Sequence, residues 1–495
     1  DPCRAASNSL CSRRRERSEV EGGRVDEGGV PEERAGRCLS AAGPDGTDQA
    51  ASFVAHDVRR RGRSAPPILK NRLHGSTERY RTQVLLGCVG FLLLLVSNRG
   101  VWLCLRNLED PLSFCRYDNL GLEFALNILA CALALLLLGV TGGFEIVLGK
   151  LRRMPQLLAF VLLALFSSAW SVQQAGTILQ IQPMIAVTFL ALVLGTVLTA
   201  RGFLNLLTAF SAVVVVSSWA LLVAFPSAAI MGKPHEGCWR GIFWHKNLAG
   251  PVLALAGTVF LLRLITAAKR KPLLATLAAS GWILASIFTF FSRSAAGVVT
   301  AVVLNGIALG LPAWRTLRPR LSRRALLGGS LAAVAGAALL SWKVEVLFSL
   351  VGRSADLTGR IPLWEWLGHV GMQRLWFGHG FGAIWLFPGF REAVTQSQRW
   401  SFTIANGHNG FVDVFLGLGA VGVVAAFSVV LTALVRGYRY WAVDGSAASS
   451  LPVLLVVYFL LANASVSLFL DVESFHWMLL VAALAVTTLP RTRGT

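Results

Sequence analysis

The sequence predicts an all-α, polytopic integral membrane protein with about twelve transmembrane helices. Three observations carry that expectation. Hydrophobic residues make up 54% of the 495, with a mean hydropathy of +0.60, above the 45–50% apolar content usual for soluble domains. From Gln83 onward, apolar blocks recur at about the twenty-residue length that a helix rising ~1.5 Å per residue needs to cross the hydrocarbon layer. The blocks also lack the strict polar alternation of a membrane barrel. The formal charge of +20 could suggest nucleic acid, but basic cytoplasmic loops are the ordinary source in a membrane protein. No nucleic-acid partner is expected.

The first 83 residues form a different regime. "CSRRRERSEVEGGRVDEGGVPEERAGRC" is charged, glycine-rich and poor in large apolar residues, the composition of a disordered segment. No apolar stretch follows the charges as a signal peptide requires. No methionine precedes Met154. The expectation is therefore a basic tail that starts as a fragment or in a shifted reading frame, and it is assigned no function.

Spans are expected at 84–105, 120–141, 156–171, 177–198, 203–225, 247–266, 272–291, 295–313, 325–341, 409–434, 451–470 and 475–489. Nine helices thus occupy 84–341, a long loop runs over 342–407, and three helices with a short tail complete 408–495. Arg59, Arg60, Arg61, Arg63, Lys70 and Arg72 precede the first span. Further cations fall in every second connection: Lys150, Arg152 and Arg153; Arg201; Lys269, Arg270 and Lys271; Arg315, Arg318, Arg320, Arg323 and Arg324; Arg436 and Arg439; Arg491 and Arg493. The positive-inside rule then puts both termini in the cytoplasm.

A few cations stand against this bias. Arg240, His245, Lys246 and Asn247 crowd "RGIFWHKNLAG", Arg293 lies in "FFSRSAAG", and His408 opens "HNGFVDVFLGLG". All three stretches are expected at the outer ends of spans. A cation there is a candidate anion ligand, although a snorkelling side chain has the same signature. Three polar clusters on one face favour a common site. Arg353 and Arg360 could join it from the long loop or remain solvated. Asp413 lies five residues after His408, about 140° round a helix, so a His–Asp dyad requires His408 to precede the helix. Asn409 is in register with Asp413 and is expected to cap or pack locally.

In the long loop, Leu363, Trp366, Leu367 and Val370 recur at helical spacing. That segment would lie in the membrane interface or pack on the bundle as a lid. Trp364, Trp366, Trp376 and Trp385 suit the headgroup level. The glycines of "GHGFGAIW" allow a tight turn and close approach of a ligand or backbone. The eight cysteines show no CxxC pair or Cys/His metal spacing, and there is no P-loop. No metal and no cofactor are expected. A Cys104–Cys115 disulfide is conceivable outside the membrane, where Cys238 is also expected.

Taken together, "RGIFWHKNLAG", "SRSAAG", "GRIPLWEWL", "GHGFGAIW" and "HNGFVDVFLGLGAVG" resemble the O-antigen ligase superfamily over most of 84–489. That superfamily comprises lipopolysaccharide O-antigen ligases, Wzy-type polymerases and exopolysaccharide polymerases. The fullest motifs are most similar to the exopolysaccharide branch, and Trp244 departs from the small residue expected there. The resemblance implies a GT-C-like, metal-independent glycosyltransferase of the bacterial inner membrane, working at the periplasmic face. Its donor would be a glycan on undecaprenyl diphosphate. The acceptor would be another lipid-linked glycan or lipid A–core, with membrane lipid and other polysaccharide-assembly proteins as partners. Carried over, Arg240 and Arg293 would hold the diphosphate and His408 would be the base. Lys246, Asn247, Arg353, Arg360 and Asn409 are secondary candidates. A twelve-helix transporter is the rival of another class, but it would place polar groups near the midplane in matched halves. A non-catalytic subunit that binds lipid-linked glycan is the third reading.

Overall fold

The computed structural model describes residues 143–233, 235–267, 271–317, 360–397, 404, 406–469 and 475–488, with scattered helical positions between 128 and 139. All fall in one unit, Thr77–Thr495. The tail, the expected spans 84–105 and 325–341, most of 120–141, Arg353 and the Cys104–Cys115 pairing lie outside the described residues.

The helices are α1 (Phe144–Leu151), α2 (Pro155–Phe166), α3 (Gln174–Val197), α4 (Ala200–Ala224), α5 (Pro226–Ala229), α6 (Lys246–Ala267), α7 (Pro272–Phe291), α8 (Ala295–Leu317), α9 (Arg360–Met372), α10 (Pro388–Ser397), α11 (Gly410–Asp444), α12 (Leu451–Asn463) and α13 (Phe475–Val486). Among the described residues there is no strand, only one isolated bridge between Ile230 and Trp239. Among the same residues, six helices, α3, α4, α6, α7, α8 and α11, are long and apolar enough to cross a membrane, and α2, α12 and α13 are shorter apolar helices. The protein is thus a helical membrane protein. Leu273, Phe290, Val302 and Val424 are largely exposed on α7, α8 and α11. Such a surface would be a liability in water but matches hydrocarbon.

Helix ends follow local chemistry. Thr199 Oγ1 accepts from Gly202 N at 3.1 Å and caps α4. Pro155 and Pro272 open α2 and α7, where the missing N–H costs nothing. α11 runs ten residues beyond its expected end at 434. Its apolar run stops there, but Arg436, Tyr438, Arg439 and Trp441 continue the helix. Two expected spans are shorter. α2 gives way to a 3₁₀ turn at Ser167–Ala169, where Ser167 Oγ bonds Ala164 O at 2.6 Å and accepts from Phe381 N. α12 stops at Asn463 instead of 470.

α6 lies at the centre, packed on α4, α7 and α8. At its crossing with α8 the two backbones almost touch: a Cβ on Gly297 would stand 2.7 Å from Gly250 Cα. Small residues that let helices close in this way are the usual device inside membranes. α13, buried throughout, packs on α3 and α12, while α11 packs on α2, α12 and α9.

One end of the bundle gathers helix C-termini with cations against them. Lys150, expected in a connection, instead belongs to α1 and is buried. Its Nζ donates to Gly195 O at 3.1 Å and Ala485 O at 2.8 Å, the last turns of α3 and α13. Arg436 donates to Arg153 O at 2.6 Å and Thr488 Oγ1 at 3.0 Å. Arg315 reaches Asp444 O at 3.4 Å. Each places positive charge where helix dipoles are negative.

α11 is broken at Gly419, whose φ of 64° and ψ of −162° are not helical. The sequence reads this stretch as one uninterrupted span. The loop backbone repairs the break: Ala420 N donates to Leu375 O at 2.7 Å, His379 N to Leu416 O at 2.9 Å and Gly380 N to Gly417 O at 2.9 Å. Irregular backbone at membrane depth is tolerated where protein satisfies it. The glycines of "GHGFG" therefore serve the approach of another backbone. A Cβ on Gly378 would stand 2.5 Å from Gly417 C.

The amphipathic segment packs on protein. Leu363 and Leu367 of α9 are fully buried with Ile384, Trp385, Val394, Ile404 and Leu416. Trp364 and Trp385 are spent on internal hydrogen bonds, whereas Trp376 is exposed.

Candidate functional site

The N-termini of α6, α8 and α11 lie toward the end of the bundle opposite the Lys150 cations, and each follows a residue singled out in the sequence. Residues 226–245 fold back over the start of α6. Arg240 N and Gly241 N both donate to Ala229 O, and Trp239 N donates to Phe291 O at 3.1 Å. This last bond ties the α6 entry to the end of α7, two residues before Arg293. Trp239 also stacks on Phe291, centroids 4.5 Å apart. Beneath, the Gly250–Gly297 crossing draws α6 and α8 together. Lys246, 2% exposed, then reaches Arg293 O with Nζ at 3.3 Å. The Arg240 guanidinium is steered by backbone: Nε donates to Ala228 O at 2.8 Å and Nη1 lies 3.5 Å from Trp244 O.

His408 enters from the third side. It precedes α11, whose N-cap is Asn409, with Oδ1 accepting from Phe411 N at 3.0 Å. The preceding turn is tightly held. His408 N donates to Asn406 Oδ1 at 3.0 Å. Gly407 N donates to both oxygens of Asp413, at 3.0 and 3.1 Å, and Trp364 Nε1 donates to Gly407 O at 2.8 Å. Asp413 is 1% exposed and also accepts from Trp385 Nε1 at 2.7 Å. Its carboxylate thus clamps the turn that presents His408.

Among the described residues, Arg293 and His408 are the two non-glycine residues with positive φ, each at 50°. A non-glycine residue in this region is uncommon, and such strain gathers at functional sites where the surroundings enforce it.

The electrostatics are those of a crowded cation cluster. Burial first, then the Arg360 guanidinium, pushes His408 down to about 4. His245 is pushed down to about 4 by burial, then by His235, Lys246, His408 and Arg240 in that order. The rings of His235 and His245 meet edge to face, centroids 5.1 Å apart. Both His245 and His408 are therefore neutral at pH 7 in the site without an anion.

The structure thus brings Arg240, Lys246, Asn247, Arg293, Arg360, His408 and Asn409 to one end of the bundle. Arg353 lies outside the described residues. Sequence reasoning gives His235 and His245 no role, although His245 stands inside "RGIFWHKN", directly before Lys246 and Asn247. Cys238 is a buried free thiol. Among the described residues, no three His, Cys, Asp or Glu side chains are placed to hold a metal ion together.

Residues 280–427 match the family described as O-Antigen ligase. The match contains Arg293, Arg360 and His408 and begins after Arg240. The exopolysaccharide production protein ExoQ of Rhizobium meliloti (strain 1021) is 29% identical to this chain over 210 residues, 40% of this chain and 47% of that protein. The chain thus spans about half the length of that relative.

Proposed function

We propose that the chain is a member of the O-antigen ligase superfamily, on its exopolysaccharide side, and a bacterial membrane glycosyltransferase; the match over residues 280–427 and the likeness to ExoQ support that reading. It would transfer glycan from an undecaprenyl-diphosphate-linked donor to an acceptor hydroxyl at the outer face of the inner membrane. The observation that carries this reading is that Arg240, Lys246, Arg293 and His408 stand at the entries of three helices, linked by the Lys246–Arg293 bond and by His245, which lies within electrostatic reach of Arg240, Lys246 and His408. Helix N-termini favour anions, and guanidinium forks bind phosphate bidentately while staying charged.

The chemistry follows from those groups. A glycosyl diphosphate is already activated, so neither nucleotide nor metal is called for. The acceptor oxygen attacks the anomeric carbon, the bond from that carbon to the phosphate oxygen breaks, and the diphosphate leaves with the bonding pair. His408 takes the hydroxyl proton. Arg240 and Arg293, together with Lys246, stabilise the charge gained by the leaving diphosphate. Losing one such group typically slows turnover by about 10²–10³. Direct displacement inverts the anomeric centre.

His408 is a weaker base than an unperturbed histidine when the site holds no anion. A bound diphosphate would offset the charge of Arg360, the second cause of that depression after burial, and so raise the pKa of His408. The base would thus be strengthened by its own substrate.

The exopolysaccharide relative favours a polymerase, which extends glycan on another lipid-linked repeat, over a ligase to lipid A–core. Purified protein is to be incubated with polyprenyl-diphosphate repeat units, with and without lipid A–core. A ladder without core marks a polymerase, and a single transfer onto core marks a ligase. No product with either acceptor sinks the proposal. Membrane-impermeant thiol labelling of cysteines placed at 240, 293 and 408 tests the outward orientation, and labelling only after lysis overturns it.

A further inference from the structure

His245 is a third chemical group of the cluster, beside the arginines and His408. Asn247 N donates to its Nδ1 at 3.1 Å. An acceptor nitrogen carries no proton, so in the neutral ring the proton resides on Nε2. That bond uses the lone pair of Nδ1, and Nε2 has none to offer. The ring is therefore a hydrogen-bond donor and is unfitted to act as a base. It is also held in place. His235 meets it edge to face at 5.1 Å, and the Trp244 ring is tilted against it with centroids 5.2 Å apart. Its chain neighbour Lys246 spans to Arg293, and Arg240 lies five residues before it. It also lies within electrostatic reach of Arg240, Lys246 and His408.

We propose that His245 is a further ligand of the donor diphosphate, giving a hydrogen bond from neutral Nε2–H to a phosphate oxygen. The inference rests on the diphosphate reading of the site made above. A neutral donor suits this position. The surrounding arginines and lysine supply charge, and an uncharged N–H adds direction without increasing their mutual repulsion. Such a donor contributes most when the site has already fixed its orientation.

The alternative is that His245 only caps α6, since its ring accepts from the second helical residue. Two substitutions separate these roles. In His245→Asn the side-chain oxygen takes over the cap, for which asparagine is among the best residues, but nothing reaches the position of Nε2. In His245→Gln the amide nitrogen can occupy the position of Nε2 and donate, while the cap is weakened. The probe is undecaprenyl diphosphate, titrated onto the full chain in nanodiscs, with undecaprenyl monophosphate as comparator and thermal melting as the fold control.

His245→Asn is expected to melt like the parent and to bind undecaprenyl diphosphate at least about tenfold more weakly, the size of one lost hydrogen bond to a charged group. His245→Gln is expected to recover most of that loss. In transfer assays the residual rate of His245→Asn should keep the acid limb of the parent. Parental binding by His245→Asn, or weaker binding by His245→Gln than by His245→Asn, overturns the inference in favour of a cap. Disappearance of the acid limb overturns it in favour of a base. Arg240→Ala and Arg293→Ala in the same titration isolate the cause. If they lose binding and His245→Asn does not, only this inference fails. If the parent does not bind the probe, or both arginine variants bind like the parent, the diphosphate reading fails with it.

Discussion

Replacing Asp413 by alanine should loosen the turn that carries His408. The carboxylate accepts from Gly407 N, at 3.0 and 3.1 Å, and from Trp385 Nε1 at 2.7 Å. Both donors would remain buried after truncation. A buried donor left without a partner costs about 1–3 kcal/mol, so the two together cost about 2–6 kcal/mol. Ser467 also bonds Asp413, but its hydroxyl lies 3.3 Å from Asn406 Oδ1 and keeps that partner. His408 holds a φ of 50° only while the turn is held, so the strain gives the freed turn a reason to relax. Asp413→Asn is the control. Trp385 Nε1 and Gly407 N both already reach Oδ1, and one amide oxygen can retain both. Its loss should be less than half that of the alanine variant. Thermal unfolding in one detergent reads the stability, and glycan transfer reads the presentation of His408. If Asp413→Ala melts and transfers like the parent, the carboxylate clamps nothing and the account of the turn is wrong.

Gly419→Ala should fail to fold, because its Cβ would meet Trp376 C at 2.3 Å at a φ of +64°. Gly368→Ala, with nothing within 4 Å, should be silent in the same expression and melting assay. Arg360→Gln should raise the pKa of His408, since Arg360 is the second cause of its depression after burial, and the acid limb of transfer should move to higher pH. His245 and His408, both near 4 when folded and about 6.5 when unfolded, bind fewer protons in the fold. Their contribution is complete above about pH 6.5 and is lost as pH falls toward 4. Melting temperature should drop across that window, and less so in a His245→Asn, His408→Asn double variant. Lys150→Met should lower the melting temperature without changing donor affinity, because two bonds from a charged donor are lost at the far end of the bundle.

Span positions were legible because apolar blocks of membrane length have few other uses. Boundaries followed less well where helicity and hydrophobicity part company. The end of α11 is helical but polar beyond 434, and α12 stops while the sequence stays apolar toward Phe469. The candidate cluster stood out in the sequence for a different reason. Arg240, Arg293 and His408 were conspicuous as cations in connections otherwise poor in them, and the structure places all three at helix entries. His245 was less visible, because the role proposed for it depends on which ring nitrogen the backbone of Asn247 occupies. The break at Gly419 was hidden for a similar reason. Gly417, Gly419 and Gly422 read as ordinary small residues of a span until the loop glycines at 378 and 380 are set against them. The spacing of Asp413 in the sequence bears only on a partnership with the His408 ring, and helical geometry says nothing about the backbone N–H of Gly407.

Lys150, Arg315 and Arg436 give an ambiguous result in any experiment that edits charge to probe orientation. Such residues are commonly treated as removable markers of sidedness. Here each is engaged with a backbone carbonyl at a helix end. A reporter fusion carrying neutral replacements would lose these fastenings as well as the marker, and a degraded product could be mistaken for an inverted one. Charges added at unengaged positions would report sidedness alone. Insertion and assembly would then draw on the same few side chains at two different times, first to choose a side and later to hold the helices together.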